Sequence, residues 1–237
     1  MISLFLMFSD PTGERRIQSD HLESVAQLVR SIPDMTEGLL FTPLEQQVDH
    51  PYKADGAGPV LALQLRFPDP FACEAAADGD GSLAELADGA GLSSLAGLEV
   101  THQVMLTRAF PVDVAVRQEG TANPCSYLVH YPGPAEDLNA WHLHYLEHHP
   151  SIMRTFPGVR QVEIYTRIDW VDRLPSRRVE YMQRNKLVFD SPDALSRALA
   201  SDVIKRMRAD FVQFPPFQGG NKHFPMLTRT VRPATRA

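Results

Sequence analysis

The amino-acid sequence predicts an α+β fold made of two copies of one unit, each an antiparallel sheet with helices on one face. Residues 102–108 (HQVMLTR) return as 223–229 (HFPMLTR), with five of seven positions identical at an offset of 121. Within each copy the hydrophobic periodicity indicates strand, helix, strand, strand, helix, strand. Because helices cover only one face of each sheet, we expect the two free faces to pack together as a pseudo-symmetric sandwich or barrel.

The junction between the two copies is expected near residues 117–124. Residues 65–70 resemble residues 187–192 at nearly the same offset, which extends the repeat over most of the chain. We therefore assign residues 1–117 to an N-terminal unit and residues 124–237 to a C-terminal unit.

The first copy has clear strands but a weak second helix. Segment 72–97 is rich in Ala, Gly and Asp, and five glycines interrupt it, so we expect only a short helix with a mobile flank there. The other expected elements are strands near residues 2–8, 38–44, 59–67 and 98–110 and a helix from about residue 20 to residue 32.

The second copy contains stronger helix signals. Asp137 can cap a helix that ends near Thr155, before a Pro-Gly pair, and Ser191 can cap one that reaches about Phe211. The expected strands are residues 125–131, 162–168, 179–189 and 223–231.

The composition is that of an ordinary folded protein, with 237 residues, 43% hydrophobic and 22% charged. Its net charge of −6 argues against a general affinity for nucleic acid. Two cysteines, Cys73 and Cys125, do not make a disulfide framework, so we expect a reducing, cytoplasmic setting. The apolar residues 1–8 lack the features of a signal peptide, and no apolar run approaches a membrane span, so we expect no membrane insertion.

Five of the nine histidines lie between His130 and His149, which makes this stretch the candidate site. Helical spacing places His149 on one apolar arc with Trp141 and Tyr145. Such a histidine is either a core residue satisfied by one hydrogen bond or an acid–base group. His130 and Tyr131 end the preceding strand, and their rings favour the acid–base interpretation if they converge beneath the helix.

Two other histidine patterns favour structural roles. His144 and His148 have the spacing of two metal ligands on one helix, but no third ligand is marked, so we predict an exposed pair and no metal. His102 and His223 occupy the same place in both copies, which favours a shared structural hydrogen bond. His223 also follows a flexible Gly-Gly pair that can cover a pocket, so it stays a binding candidate.

The stretch from Leu128 to Arg160 resembles the EthD family of the dimeric α+β barrel superfamily. Trp141, His149 and the pair Pro157-Gly158 match the family pattern, although here a proline follows the histidine directly. The resemblance implies ferredoxin-like βαββαβ units that pair through their sheets, and so a fused, pseudo-dimeric α+β barrel. Val25 stands at the position of His149 in the first copy, which implies a single site in the second copy.

We expect a cofactor-independent enzyme that acts on a small aromatic compound by proton transfer, as a lyase or cyclase. The resemblance also implies two alternatives: an EthD-type or haem-dependent oxidoreductase or monooxygenase, and a non-catalytic accessory binding protein. A homodimer is a further expectation. The candidate catalytic residues are His149, His130, Tyr165 and Tyr131, and the candidate substrate-binding residues are Trp141, Tyr145, Trp170 and His223.

Overall fold

The first half of the chain folds as the predicted strand–helix–strand–strand–helix–strand unit, except that its second helix is divided in two. The structure, a computed structural model, describes residues 1–45, 55–79, 81–113 and 124–232, so the expected junction and the last residues of the C-terminal unit lie largely outside the described part. Gly79 has a φ of +80° after the first short helix, and Gly81 caps the next. The elements are β1 (Ile2–Ser9), α1 (Ser19–Ser31), β2 (Glu37–Pro43), β3 (Leu61–Phe67), α2 (Pro70–Ala76), α3 (Ser82–Ala87) and β4 (Glu99–Phe110).

The second half repeats this order, with one helix again divided. The predicted helix from Ser191 to Phe211 breaks after Ala200, where the Ser201 hydroxyl donates to the Ala198 carbonyl at 2.6 Å and so competes with the helical hydrogen bonds. The elements are β5 (Cys125–Tyr131), α4 (Leu138–Met153), β6 (Val159–Arg167), β7 (Arg177–Arg178), β8 (Gln183–Phe189), α5 (Pro192–Leu199), α6 (Val203–Phe211) and β9 (Lys222–Arg232).

Eight antiparallel strands close into a barrel that contains both halves of the chain. Their order is β1-β3-β2-β9-β5-β8-β6-β4, and β4 pairs again with β1. In each half the fourth strand lies beside the first, then the third, then the second. The halves join where the second strand of one pairs with the fourth strand of the other, as β2 with β9 and β6 with β4. The predicted pseudo-symmetric barrel is confirmed.

Each of the two repeated histidines contacts an aspartate of the other half. His102 Nε2 lies 2.9 Å from Asp172 Oδ2, and His223 Nδ1 lies 2.6 Å from Asp55 Oδ2. In both cases the histidine is near the start of a fourth strand, and the aspartate lies in the loop between the second and third strands of the other half. These contacts agree with the structural hydrogen bond that the sequence favours.

The barrel sheet separates two kinds of buried region, one between the sheet and the outer helices and the other in the lumen. Helices cover its outer face with one apolar cluster per half, and Val25 and Val29 of α1 lie in the first of these. The lumen contains apolar side chains such as Phe5 and Leu128 together with buried polar and charged ones. Cys73 and Cys125 are buried free thiols. Each helix in the described ranges is too short or too polar to cross a bilayer.

A buried ionic cluster occupies the middle of the lumen, centred on Glu163. Its carboxylate accepts hydrogen bonds from Arg66 Nη2 at 2.6 and 2.7 Å and from Tyr165 Oη at 2.5 Å, and it lies 3.1 Å from Lys186 Nζ. Burial by itself would raise the pKa of Glu163, but Lys186 and Arg66 outweigh that effect and lower the pKa to about 2. The lumen therefore holds ionised Glu163 at any physiological pH.

We expect Glu163→Gln to lower the free energy of unfolding by about 3–5 kcal/mol, because it leaves buried Arg66 and Lys186 without their shared carboxylate. The matched control is Glu99→Gln, which removes an exposed partner of Arg177 and should cost less than about 1 kcal/mol. Urea denaturation of both variants measures the difference. Equal stability of the two variants would contradict a structural role for the cluster.

Candidate active site

A cavity of about 130 Å³ lies between the outer face of the second half's sheet and helices α4 and α6. A cavity of about 150 Å³ holds one benzene ring, so this one suits a single aromatic ring. Its walls are mainly apolar, with a few polar groups on the sheet and helices. The polar or aromatic-hydroxyl lining residues are Tyr127, Tyr131, His149, Asn185, Arg208, Asn221 and His223.

His149 reaches this cavity because of how α4 begins. The Asp137 side chain accepts a hydrogen bond from the Ala140 amide at 2.9 Å and fixes the start of the helix. At intervals of four residues from Trp141, the helix then turns Tyr145 and His149 toward the sheet. The His149 side chain is only 4% exposed, yet it borders the cavity.

His149 is paired with Asp210, which belongs to α6. His149 Nδ1 lies 2.6 Å from Asp210 Oδ2. Burial lowers the pKa of His149 below its usual value, although Asp210 acts in the opposite direction. At neutral pH the imidazole is therefore uncharged, and Nδ1 donates its proton to Asp210. This tautomer leaves the lone pair on Nε2, so His149 is suited to act as a general base.

A chain of polar side chains places a phenol at the cavity wall. Asn185 Nδ2 donates to Tyr145 Oη at 2.6 Å, and Tyr145 hydrogen-bonds Tyr131. Asn221 Nδ2 lies 3.4 Å from Tyr131 Oη. Burial raises the pKa of Tyr145 well above its usual value, so its hydroxyl stays protonated. Because Tyr131 borders the cavity, its hydroxyl can stabilise negative charge on a bound molecule.

Three of the eight predicted site residues border this cavity: His149, Tyr131 and His223. Tyr145 lies behind Tyr131, and Trp141 stacks on Tyr145 with ring centres 4.9 Å apart. Neither residue lines the cavity. Both therefore support the cavity wall from behind and would not contact a substrate bound there.

The other three predicted residues lie elsewhere. His130 and Tyr165 point into the lumen, on the opposite side of the sheet from His149, and Tyr165 is bonded to Glu163. Adjacent residues of a strand face opposite sides, so His130 cannot share a pocket with Tyr131. Trp170 packs against His102 at 5.7 Å in the core of the first half. The sequence predicted that these three residues would converge with His149, whereas the structure places them away from its cavity.

Sequence reasoning did not identify Asp210 or Asn185 as site residues. Asn185 belongs to a run of four polar residues, 183–186, inside a predicted strand, and such a run in a buried strand indicates polar partners. Asp210 carries no comparable signal, because it is one of several charged residues on a polar helix and its partner is 61 positions away.

The fold is shared with known structures, although neither a protein-family model nor a curated protein matches this chain. An anthrone oxidase-like protein is 10% identical, with a TM-score of 0.62, and the alignment covers 100% of this chain and 96% of that one. A candidate monooxygenase from Fusobacterium nucleatum subsp. nucleatum is 10% identical, with a TM-score of 0.59 and coverage of 99% and 95%. A second candidate monooxygenase, from Lactobacillus acidophilus, is 10% identical, with a TM-score of 0.51 and coverage of 99% and 97%. These full-length matches show that the chain has the dimeric α+β barrel fold, with both units of the barrel in one polypeptide.

Proposed function

We propose that the chain is an oxidoreductase in which His149 deprotonates a small aromatic compound, whose anion then reacts with dioxygen. The observation that carries the proposal is the 2.6 Å contact between His149 and Asp210 at the edge of a ring-sized, mainly apolar cavity. Three full-length structural neighbours are described as an anthrone oxidase-like protein and candidate monooxygenases, which favours oxygen chemistry over the lyase or cyclase activity expected from the sequence.

The substrate class follows from the lining of the cavity. Apolar side chains such as Met153, Phe156 and Leu187 suit an aromatic ring, while His149 and Tyr131 suit a polar, acidic group on that ring. A phenol, or a ring ketone with an adjacent acidic methylene, combines both features. A larger fused-ring compound would leave part of its surface outside the cavity.

Proton transfer starts the proposed reaction. His149 Nε2 takes the proton, ionised Asp210 stabilises the imidazolium, and Tyr131 donates a hydrogen bond to the oxyanion of the substrate. For a methylene substrate the balance is R₂CH₂ + O₂ → R₂C=O + H₂O. Carbon gives up four electrons, one oxygen atom forms the carbonyl, and the other leaves as water. The substrate is thus the only reductant, and His149 returns its proton to the departing oxygen.

A haem group does not fit the residues around His149. An imidazole whose Nδ1 donates a hydrogen bond to a carboxylate would be chemically suited to bind haem iron. However, the rings of Tyr145 and Phe214 lie only 4.7 and 5.0 Å from the His149 ring, and the cavity of about 130 Å³ is too small for a macrocycle of four pyrrole rings. The site therefore favours an organic substrate over a porphyrin.

Lyase or cyclase chemistry is the second candidate, because His149, Asp210 and Tyr131 already form a complete acid–base set. Such a reaction would begin with the same proton abstraction but would consume no oxygen. The two candidates therefore share a base and differ in their co-substrate.

We expect His149→Gln to lower kcat/KM roughly 100- to 10,000-fold, because the general base is lost. Asp210→Asn should lower it roughly tenfold or more, because the imidazole loses its orienting carboxylate. His148→Gln is the control, since His148 is an exposed neighbour on the same helix. Turnover is measured with the substrate found by oxygen-uptake screening of one-ring phenols and of ring ketones with an acidic methylene. If His149→Gln retained wild-type kcat/KM, His149 would not be the base.

The lowered pKa of His149 predicts how kcat/KM depends on pH. A base must be unprotonated, and burial lowers the pKa of His149, so kcat/KM should fall toward acid pH with a midpoint below about 6.5, the usual pKa of histidine. Stopped assays on both sides of that midpoint measure the profile. A midpoint above neutrality would contradict a buried, neutral His149.

Oxygen consumption separates the two candidate reactions. We expect one O₂ consumed for each substrate molecule oxidised, and no Soret band in the absorption spectrum of the purified protein. If product formed at the same rate without oxygen, the result would favour a lyase or cyclase reaction. A stoichiometric Soret band would overturn the cofactor-independent mechanism.

A further inference from the structure

We propose that the open end of the barrel next to Arg184 binds a small organic carboxylate. This site lies in the lumen, across the sheet from the cavity of His149, and it does not depend on the proposed function. Four observations carry it: the charge balance of the lumen, the contacts of Arg184, the state of His130, and the lining of the opening.

The ionic cluster in the middle of the lumen is already balanced. Arg66 pairs with Glu37 at 2.7 Å and with Glu163 at 2.6 Å, and Lys186 pairs with Glu163 at 3.1 Å. Two cations thus face two carboxylates. The two carboxylates neutralise these two cations, so neither is available to neutralise a third cation.

Arg184 is that third cation, and it is only 2% exposed. Its contacts are neutral: Nε lies 3.4 Å from Gln103 Oε1, and the guanidinium stands over the Tyr181 ring at 4.4 Å. Among the described residues, no carboxylate pairs with Arg184, and no group accepts a hydrogen bond from its Nη2. A buried charge without a counter-ion is unfavourable, so a bound anion would relieve a cost that the folded chain otherwise carries.

His130 adds a neutral surface beside this charge. Arg184 Nη1 lies 3.0 Å from both ring nitrogens of His130. A position equally close to both nitrogens lies over the ring face, since in the ring plane it would collide with Cε1. Burial, and then Arg184, lower the pKa of His130 well below its usual value. The imidazole therefore contributes no second positive charge at this position, and the single charge of Arg184 matches one carboxylate.

The opening is large enough for such a ligand, and none of its described carboxylates pairs with Arg184. Its volume is about 380 Å³, and its walls include Met7, Tyr181 and Phe224. Three carboxylates on the rim are engaged: Asp10 accepts hydrogen bonds from the Thr12 and Arg15 amides, Asp55 binds His223, and Glu99 binds Arg177. Lys222 on the rim adds positive charge. The lining of the opening is mixed, and the apolar surface of Met7, Tyr181 and Phe224 next to Arg184 suits a carboxylate with a small hydrocarbon body.

Calorimetric titration with benzoate tests the proposal on the full chain. We expect saturable binding to the wild type, a Kd at least about tenfold weaker in Arg184→Met, and no binding of the neutral analogue benzamide. The matched control is Arg208→Met, an exposed arginine beside the His149 cavity, which should bind benzoate like the wild type. Equal binding by Arg184→Met and the wild type, equal binding of benzamide, or tighter binding of inorganic phosphate would overturn the proposal.

Two further measurements keep the test decisive. Arg184→Met removes an uncompensated buried charge with little change in volume, so its Tm should equal or exceed that of the wild type, whereas a purely structural Arg184 would give a lower Tm. His149→Gln should bind benzoate normally even if it abolishes turnover. Loss of benzoate binding in that variant would place the ligand in the outer cavity and contradict the lumen site.

Discussion

The closed sheet is the constraint on which the rest of this structure depends. Each strand residue faces either the lumen or the helices, and the wall of the barrel is a single layer, so neighbouring residues serve different chemical environments. His130 and Tyr131 illustrate this on β5, and Arg184 and Asn185 on β8. The lumen receives Arg184 and His130, while Tyr131 and Asn185 belong to the cavity of His149. One pair of strands therefore supplies side chains to two separate cavities.

The two halves of the duplicated fold differ on the outer faces of their sheets. Both halves have the same strand order, and each is fastened to the other by an equivalent histidine–aspartate contact. In the first half Val25 takes the place of His149, and the outer face is an apolar core. Because the barrel needs the strands of both halves to close, the first half is required for the fold even though it has no counterpart of His149.

The sequence predicted the parts of the molecule that depend on periodicity. The repeat at an offset of 121, the strands and the barrel follow from patterns within the chain. The site was predictable only in part. His149 and Tyr131 could be found because they belong to one helix and one strand, but the approach of Asp210 to His149 depends on how α6 packs on α4. The grouping of His130 with Tyr131 ignored the alternation of side chains along a strand, which was available from the sequence. Nothing in the sequence distinguishes Arg184, with no carboxylate partner among the described residues, from the paired Arg66.

A crystal structure with a bound one-ring phenol that inhibits turnover tests the central claim most directly. We expect the ring to lie between the outer face of the second sheet and α4, with its oxygen about 2.6–3.2 Å from His149 Nε2. A ring in the barrel lumen, or a ring in the outer cavity whose oxygen points away from His149, would contradict it.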